Sequence, residues 1–266
     1  MKHQAMDATT LHSVAQPDEL VIAPDLSATA HRFLWHAETR TAVLADLHLG
    51  IEDAWIKQGL AIPGMLPAYV PALTRAWAKL SAQGPARVVI AGDLFDAAEP
   101  SESAVEYCRR LFRSLPAGCR IIITRGNHDP DAESLGGIFA GMPVSVCGQF
   151  RLGPHVISHG HEPASPGAGA WIVGHQHPAV EMRSRIHGRG IKMPCFAVLS
   201  GSGSPRTVLL PAFSHGPLGC NLLSENQWLL PLPRPEDRDF RIAGLIEPTD
   251  GRPAQVLDFG PLSVLA

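Results

Sequence analysis

A chain of 266 residues that is 45% hydrophobic and 18% charged, with a formal net charge of −3, has the length and mix of one ordinary globular α/β domain. The weak negative charge excludes a global basic field for nucleic acid and leaves only local patches. Only four lysines stand beside 18 arginines; arginine's planar fork suits phosphate oxygens, although a compositional bias of the genome accounts for the excess equally well. The cysteines, Cys108, Cys119, Cys147, Cys195 and Cys220, are odd in number and show no Cys-x-x-Cys spacing. They read as buried thiols of a reducing compartment, not as a disulfide framework or zinc cluster. No apolar run reaches membrane-spanning length, and the opening MKHQAMDATTLHSVAQ has no apolar signal core. The expectation is a cytoplasmic protein with no membrane contact.

Residues 1–18 are polar and aperiodic and are expected to form a loose tail ahead of one domain over 19–266. Short runs rich in Val and Ile, each stopped by Gly, Pro or a polar cluster, predict buried strands at Thr41–Ala45, Arg87–Ala91, Arg120–Thr124, Val156–Ser158 and Trp171–Val173. Helices are expected at Leu66–Leu80 and Ser101–Leu115. The second has Ser101 as N-cap, acidic residues in its first turn, and Pro116 and Gly118 as its stop. Strand, helix, strand, helix, strand is the pattern of an α/β sheet. Further runs at Ala179–Met182, Phe196–Ser200, Thr207–Leu210, Trp228–Leu230, Arg241–Ile246 and Gln255–Phe259 predict antiparallel structure, read as a second sheet packed on the first. The motif core would span 40–210 and a β-rich part 211–266, with LPLPRPEDR as a loop between strands.

Polar, metal-competent residues follow each of the first five strands. Asp46 and His48 come after the first, Asp93 and Asp96 after the second, and Asn127, His128 and Asp129 after the third. His159 and His161 follow the fourth, His175 and His177 the fifth. Ligands of open α/β sheets bind beyond the carboxyl ends of strands, so these clusters should converge on one crevice. Carboxylate, imidazole and amide oxygen without thiolate suit Mn, Fe or Zn. A lone Asp-x-His is weak, and Gly-Asn-His-Asp alone is a good turn. Six of 13 histidines at successive strand ends, beside Asp and Asn, are another matter.

The order Asp-x-His, Gly-Asp-x-x-Asp, Gly-Asn-His-Asp, His-Gly-His, Gly-His-x-His over residues 46–177 resembles the calcineurin-like metallophosphoesterases. The resemblance implies a two-sheet αββα sandwich and two divalent ions, Mn first, with Fe or Zn as alternatives. It puts Asp46, His48, Asp93 and His177 on one ion. Asp93, Asn127, His159 and His175 would hold the other, with Asp93 bridging. It further implies that hydroxide from a shared water attacks phosphorus in line. His128 would stabilise the transition state or protonate the leaving oxygen, Asp129 would orient His128, and Asp96 and His161 would support the ligands. The stretches ADLHLGIEDAWIKQGLAIP, MPCF and VLLPAFSHG are similar to the bacterial ligase-associated DNA damage response endonuclease group. That likeness implies a phosphodiester substrate in DNA and DNA-repair protein partners.

Outside the motifs, Arg183, Arg185, Arg189 and Lys192 form the densest basic cluster, and Arg183 and Arg185 share a strand face. They are candidates for contact with a polyanionic backbone, with a solvated hairpin as the commoner meaning of such a cluster. Arg125 and Arg206 are further candidates for a phosphate. Trp55 could rim the site, and Trp171 fits core packing better. The stretch SGSGS at 200–204 lacks a Lys-Ser/Thr ending and is no nucleotide cradle. Three functions stay open: a phosphodiesterase on DNA, a hydrolase of small nucleotide-type phosphoesters, and a non-catalytic scaffold, which the complete ligand set disfavours.

Overall fold

The computed structural model describes residues 18–57, 59, 65–163, 169–183, 190–200, 206–215, 219–248 and 253–265. The expected tail lies almost wholly outside them. A first sheet orders β1 (Glu19–Ala23), β2 (Leu26–Thr29), β3 (Leu34–His36), β4 (Thr41–Leu44), β5 (Arg87–Ala91), β6 (Arg120–Thr124) and β7 (Val144–Cys147) side by side. β1 to β4 pair antiparallel, β4 to β7 parallel. Parallel neighbours need crossovers. These carry α1 (Ile51–Lys57), α2 (Met65–Ala82), α3 (Glu102–Arg113) and α4 (Ala132–Ile138). The Ser101 hydroxyl caps α3 by accepting from the Ala104 amide at 3.3 Å, as expected.

The second sheet holds β8 (Phe150–Leu152), β9 (His155–Ser158), β10 (Ala170–Val173), β11 (Pro178–Arg183), β12 (Gly190–Leu199), β13 (Arg206–Leu209), β14 (Cys220–Asn221), β15 (Phe240–Ile246) and β16 (Gln255–Pro261). It is mixed, not simply antiparallel: β9, β10 and β13 run parallel. β15 pairs with β12, so the C-terminal part shares the sheet of the motif core.

The period of two along each strand sorts the layers. On β4, Ala42 and Leu44 face a core shared with Leu73, Trp77, Cys108 and Phe112 of the helices, while Val43 and Ala45 face the second sheet. There Val43, Ala45, Val89 and Ala91 meet Ile157, Ile172, Phe196, Val198 and Val208. The outer face of the second sheet, with Trp171, Cys195, Leu199 and Phe240, is covered by Leu222, Leu230 and Leu262. Among the described residues that cover is loops and three 3-10 turns, Glu225–Gln227, Asp237–Asp239 and Leu262–Val264, not α-helices. This is the two-sheet sandwich expected from the motifs, in one domain. No helix among the described residues is long and apolar enough to cross a membrane.

One expected strand is absent. Trp228–Leu230 is loop, because the Leu229 amide donates to Gln176 Oε1 (2.8 Å) and the Trp228 indole donates to the Leu232 carbonyl (2.7 Å). Pro231 and Pro233 remove further ladder donors. The expected Trp171 core role holds: it is buried, its indole N–H donating to Ser158 Oγ at 2.7 Å. Trp55 is half-buried against Tyr69, with ring centroids 6.3 Å apart.

Phe196 is fully buried between the sheets. Phe196→Ala should cost about 3–5 kcal/mol in urea denaturation; a loss below ~1 kcal/mol would mean that the inter-sheet core is placed elsewhere.

Candidate metal centre

The first sheet presents one edge of carboxyl ends, and β9, β10 and β13 present theirs to the same crevice. The Asp46 amide donates to the Gly92 carbonyl (3.1 Å) within the first sheet, and the Phe213 amide donates to the Ala45 carbonyl (2.8 Å) across the two edges. The His175 amide donates to both Asp46 carboxylate oxygens at 3.2 Å. Tyr69, from α2, donates its hydroxyl to the carbonyls of Leu47 (2.9 Å) and His48 (3.3 Å).

Asp46, His48, Asp93, His175 and His177 all have positive φ, between 43° and 62°. They are five of the seven non-glycine residues in that state among those described. The left-handed conformation is uncommon outside Gly, although Asn, Asp and His adopt it more readily than other residues. It persists where surrounding structure over-determines it, as at functional sites. Here it turns side chains at i and i+2 toward one point. Two glycines make the close approach possible. A Cβ at Gly126 would collide with the Asp93 carboxylate and amide, and one at Gly92, where φ is +79°, would enter the His159 ring.

The seven residues assigned to metal are all brought together. Asp46, His48 and His177 present donor atoms mutually within 4.8 Å, as do Asp46, Asp93 and His159. His48 Nε2 stands 3.3 Å from His177 Nε2, and His177 Nε2 stands 3.4 Å from Asp46 Oδ1. His159 Nε2 stands 2.9 Å from Asn127 Oδ1, 3.0 Å from His175 Nδ1 and 3.3 Å from Asp93 Oδ2. Asp93 Oδ2 is also 3.7 Å from His48 Nε2, so one carboxylate oxygen faces both groups. Ligands about 2.1 Å from one ion stand about 3.0–3.4 Å from each other, and the distances within the groups, 2.9 to 3.7 Å, lie close to that. The donor set therefore fits two divalent ions, and no thiolate competes.

The ring tautomers follow from the outer contacts. His48 Nδ1 lies 3.0 Å from Asp96 Oδ1 and His159 Nδ1 lies 3.2 Å from the Ala91 carbonyl. Each Nδ1–H is thus donated outward, so that Nε2 faces inward and offers its lone pair once deprotonated, the usual support for a ligating imidazole. Asp96 thus touches His48 from the side away from the other donors.

Asp129 does not do what the family likeness implied. Its oxygens accept from the Phe95 amide (3.0 Å) and the Gly126 amide (2.8 Å), pinning the two loops to each other. Burial pushes its pKa up, and those two amides hold part of it down. His128 is instead oriented by the Asp96 carbonyl, 3.1 Å from its Nδ1, and its ring is exposed at the rim, 5.3 Å from His48. His161 stands behind the second group, its ring 5.3 Å from His159, and its Nδ1 is buried without a partner among the described residues.

Arg125 lines a small recess of about 40 Å³ with His159 and His161, and its guanidinium has no ion-pair partner among the described residues. Arg206 is exposed at the start of β13. Arg185 and Arg189 lie outside the described residues, and of Arg183 only the backbone is described, paired with Gly190. Lys192 is exposed and lines a groove of about 160 Å³ with His177, Arg32 and His215. Those last two were missed from the sequence. β13 is a sixth strand ending at the crevice. The FSH stretch just beyond it puts Ser214, whose amide donates to the Asp46 carbonyl at 3.4 Å, and His215 beside the centre.

Electrostatics couple the groups. Burial alone would raise the Asp93 pKa, but the hydrogen bond and charge of His159 and the charge of His48 hold it well below the carboxylate range. Burial opposes charge on His159 as well, yet the Asp93 hydrogen bond and the charges of Asp46 and Asp93 raise its pKa to about 9. Burial and the neighbouring His159 lower His175 to about 4.

Residues 39–162 match the model of the family described as calcineurin-like phosphoesterase. Among solved structures, the chain is similar to the Pseudomonas putida nuclease MPE at 20% identity and TM-score 0.57, with 87% of this chain and 94% of that one covered. A metallophosphoesterase from Sphaerobacter thermophilus aligns at 14% identity and TM-score 0.28, covering 83% and 88%. No curated protein matches significantly. The fold is that of the metallophosphoesterases, and the site has the make-up of a metal-dependent phosphoester hydrolase.

At pH 7 the metal-free protein should hold a proton on His159, since its pKa lies above that pH. A metal must displace that proton. Calorimetric Mn titrations in buffers of different ionisation enthalpy should show proton release, with affinity rising between about pH 7 and pH 9; heats independent of the buffer would contradict this charge state.

Proposed function

We propose that the chain is a two-metal phosphodiesterase acting on single-stranded nucleic acid. Asp46, His48, Asp93 and His177 would hold one divalent ion; Asp93, Asn127, His159 and His175 would hold the other. The observation that carries this reading is Asp93 Oδ2 standing 3.7 Å from His48 Nε2 and 3.3 Å from His159 Nε2. Mn is the first choice, on a donor set of carboxylate, imidazole and amide oxygen. A bound pair of ions supplies a nucleophile at neutral pH and neutralises charge on the phosphoryl oxygens.

The chain's own residues do the rest. Asp96 and the Ala91 carbonyl fix the His48 and His159 tautomers. His128, its Nδ1–H held by the Asp96 carbonyl, is exposed at the rim. There its Nε2 can pass a proton to the leaving oxygen and take one back from water, a step worth about 10²–10⁴-fold. Support for a polyanionic substrate comes from the cations on two sides of the centre. Arg125 stands beside His159 and His161, and Lys192 stands beside His177. A strand crossing the centre would meet one on either side, and phosphate contacts of this kind position nucleic acid without reading its sequence. A repair setting, and repair-protein partners, are proposed on the likeness of ADLHLGIEDAW and VLLPAFSHG.

The test is metal analysis with kinetics on bis(4-nitrophenyl) phosphate and a short single-stranded oligodeoxynucleotide. Asp93→Asn should lose bound metal and activity together. His128→Ala should keep its metal and lose about 10²-fold or more in kcat. Full metal and activity in Asp93→Asn would overturn the bridging role, and wild-type inactivity on both substrates would overturn the function.

A further inference from the structure

A cavity of about 360 Å³ opens between α2 and the segment that follows β15, with none of the seven metal-assigned residues in its lining. Its volume is in the range of small-ligand sites. Arg75 and Lys79 line one side. They are four residues apart on α2 and so share a face, where like charges destabilise a helix unless an anion sits near them. Both are exposed, and neither has an ion-pair partner among the described residues. His31, also in the lining, feels both signs: burial and Lys79 lower its pKa, and Asp18 and Glu247 offset part of that.

The acidic groups do not cancel this charge. Glu247 is committed to Arg32, whose guanidinium it accepts from, and to His215 Nε2 at 3.0 Å. That leaves Asp18 against two cations. The remaining wall is apolar, with Ala72, Ala76, Pro248 and Pro253. A flat, weakly polar body would lie there while an anion met the cations.

The cavity communicates with the centre. Arg32 and His215 line it and also line the groove that reaches His177. Arg32 is held in place with φ at 67° and donates Nη1 to the carbonyls of Ala212 and Ser214, both at 2.9 Å. In the same strip His215 Nδ1 is buried without a partner among the described residues. Such a group calls for a ligand or ordered water.

We infer that this cavity is a nucleotide subsite. It takes a nucleoside phosphate that flanks the scissile diester in a single strand, the phosphate between Arg75 and Lys79 and the base or sugar against the alanines and prolines. The assignment of the strand as substrate rests on the function proposed above; the pocket itself is testable without turnover.

The experiment uses the full chain. Fluorescence anisotropy with a labelled deoxythymidine oligonucleotide, in EDTA, reads binding alone. Arg75→Ala/Lys79→Ala should raise Kd about tenfold or more, equivalent to ~1.4 kcal/mol. Thymidine 5′-monophosphate should compete on the wild type. A control, Arg113→Ala/Arg120→Ala, removes two exposed cations outside the cavity and should shift Kd by less than about twofold, as expected for charges far from the ligand. With Mn present, the double variant's loss in kcat/KM should be about tenfold greater for the oligonucleotide than for bis(4-nitrophenyl) phosphate, by the same free-energy conversion. Equal weakening by the control, no competition by the mononucleotide, or equal losses on both substrates would overturn the subsite. A wild type that binds the strand but hydrolyses neither substrate would count against the catalytic function and leave the binding result to decide the pocket.

Discussion

The carboxylate of Asp93 is 2% exposed and still ionised. A buried carboxylate without partners would take up a proton. It stays charged because imidazoles from both sheets come within reach: His48 from the end of β4 and His159 from the end of β9. Much of the local structure serves that approach. Gly126 and Gly92 give up their side chains so that Asp93 and His159 fit. The His128 amide donates to Asp93 Oδ1 at 3.1 Å. Asp129 ties the loops after β5 and β6 together from below. The positive φ angles at Asp46, His48, Asp93, His175 and His177 are the local cost of aiming donors at one point.

The sheets divide the work. The first supplies both carboxylates and the amide oxygen; the second supplies three of the four imidazoles, from the ends of β9 and β10. Neither sheet alone makes a site, so the inter-sheet core of Val43, Val89, Ile157, Ile172 and Phe196 sets the distance between half-sites. Groups that would meet the substrate come from elsewhere: the turn after β6, the segment after β13, and the exposed face of α2. This separates chemistry, fixed by strand ends, from selectivity, set by loops and a helix.

The site was legible where local sequence carries the information. A Val- and Ile-rich run followed at once by Asp, His or Asn marks a strand and what it delivers, and the α3 cap was readable from Ser101 and its acidic first turn. What depended on distant partners was not readable. β1 to β3 are short and broken by Pro24, Asp25 and the Thr29–Arg32 turn, so no period announces them. Trp228–Leu230 has strand composition, yet Gln176 takes its amide. Asp129 was assigned to its sequence neighbour His128, while its real partners are one turn back and one loop away. Ser214 and His215 were visible as FSH, but only the parallel pairing of β13 with β10 brings them to the crevice. Nothing in the sequence around Arg75 and Lys79 marks them out; only the fold puts a cavity in front of them.

The central claim is that two ions share Asp93. Anomalous diffraction from crystals of the Mn-loaded protein tests it most directly. The account predicts two peaks about 3.5–4 Å apart, with the Asp93 carboxylate between them, one peak bounded by Asp46, His48 and His177 and the other by Asn127, His159 and His175. A single peak, or two peaks with Asp93 touching only one of them, would contradict it.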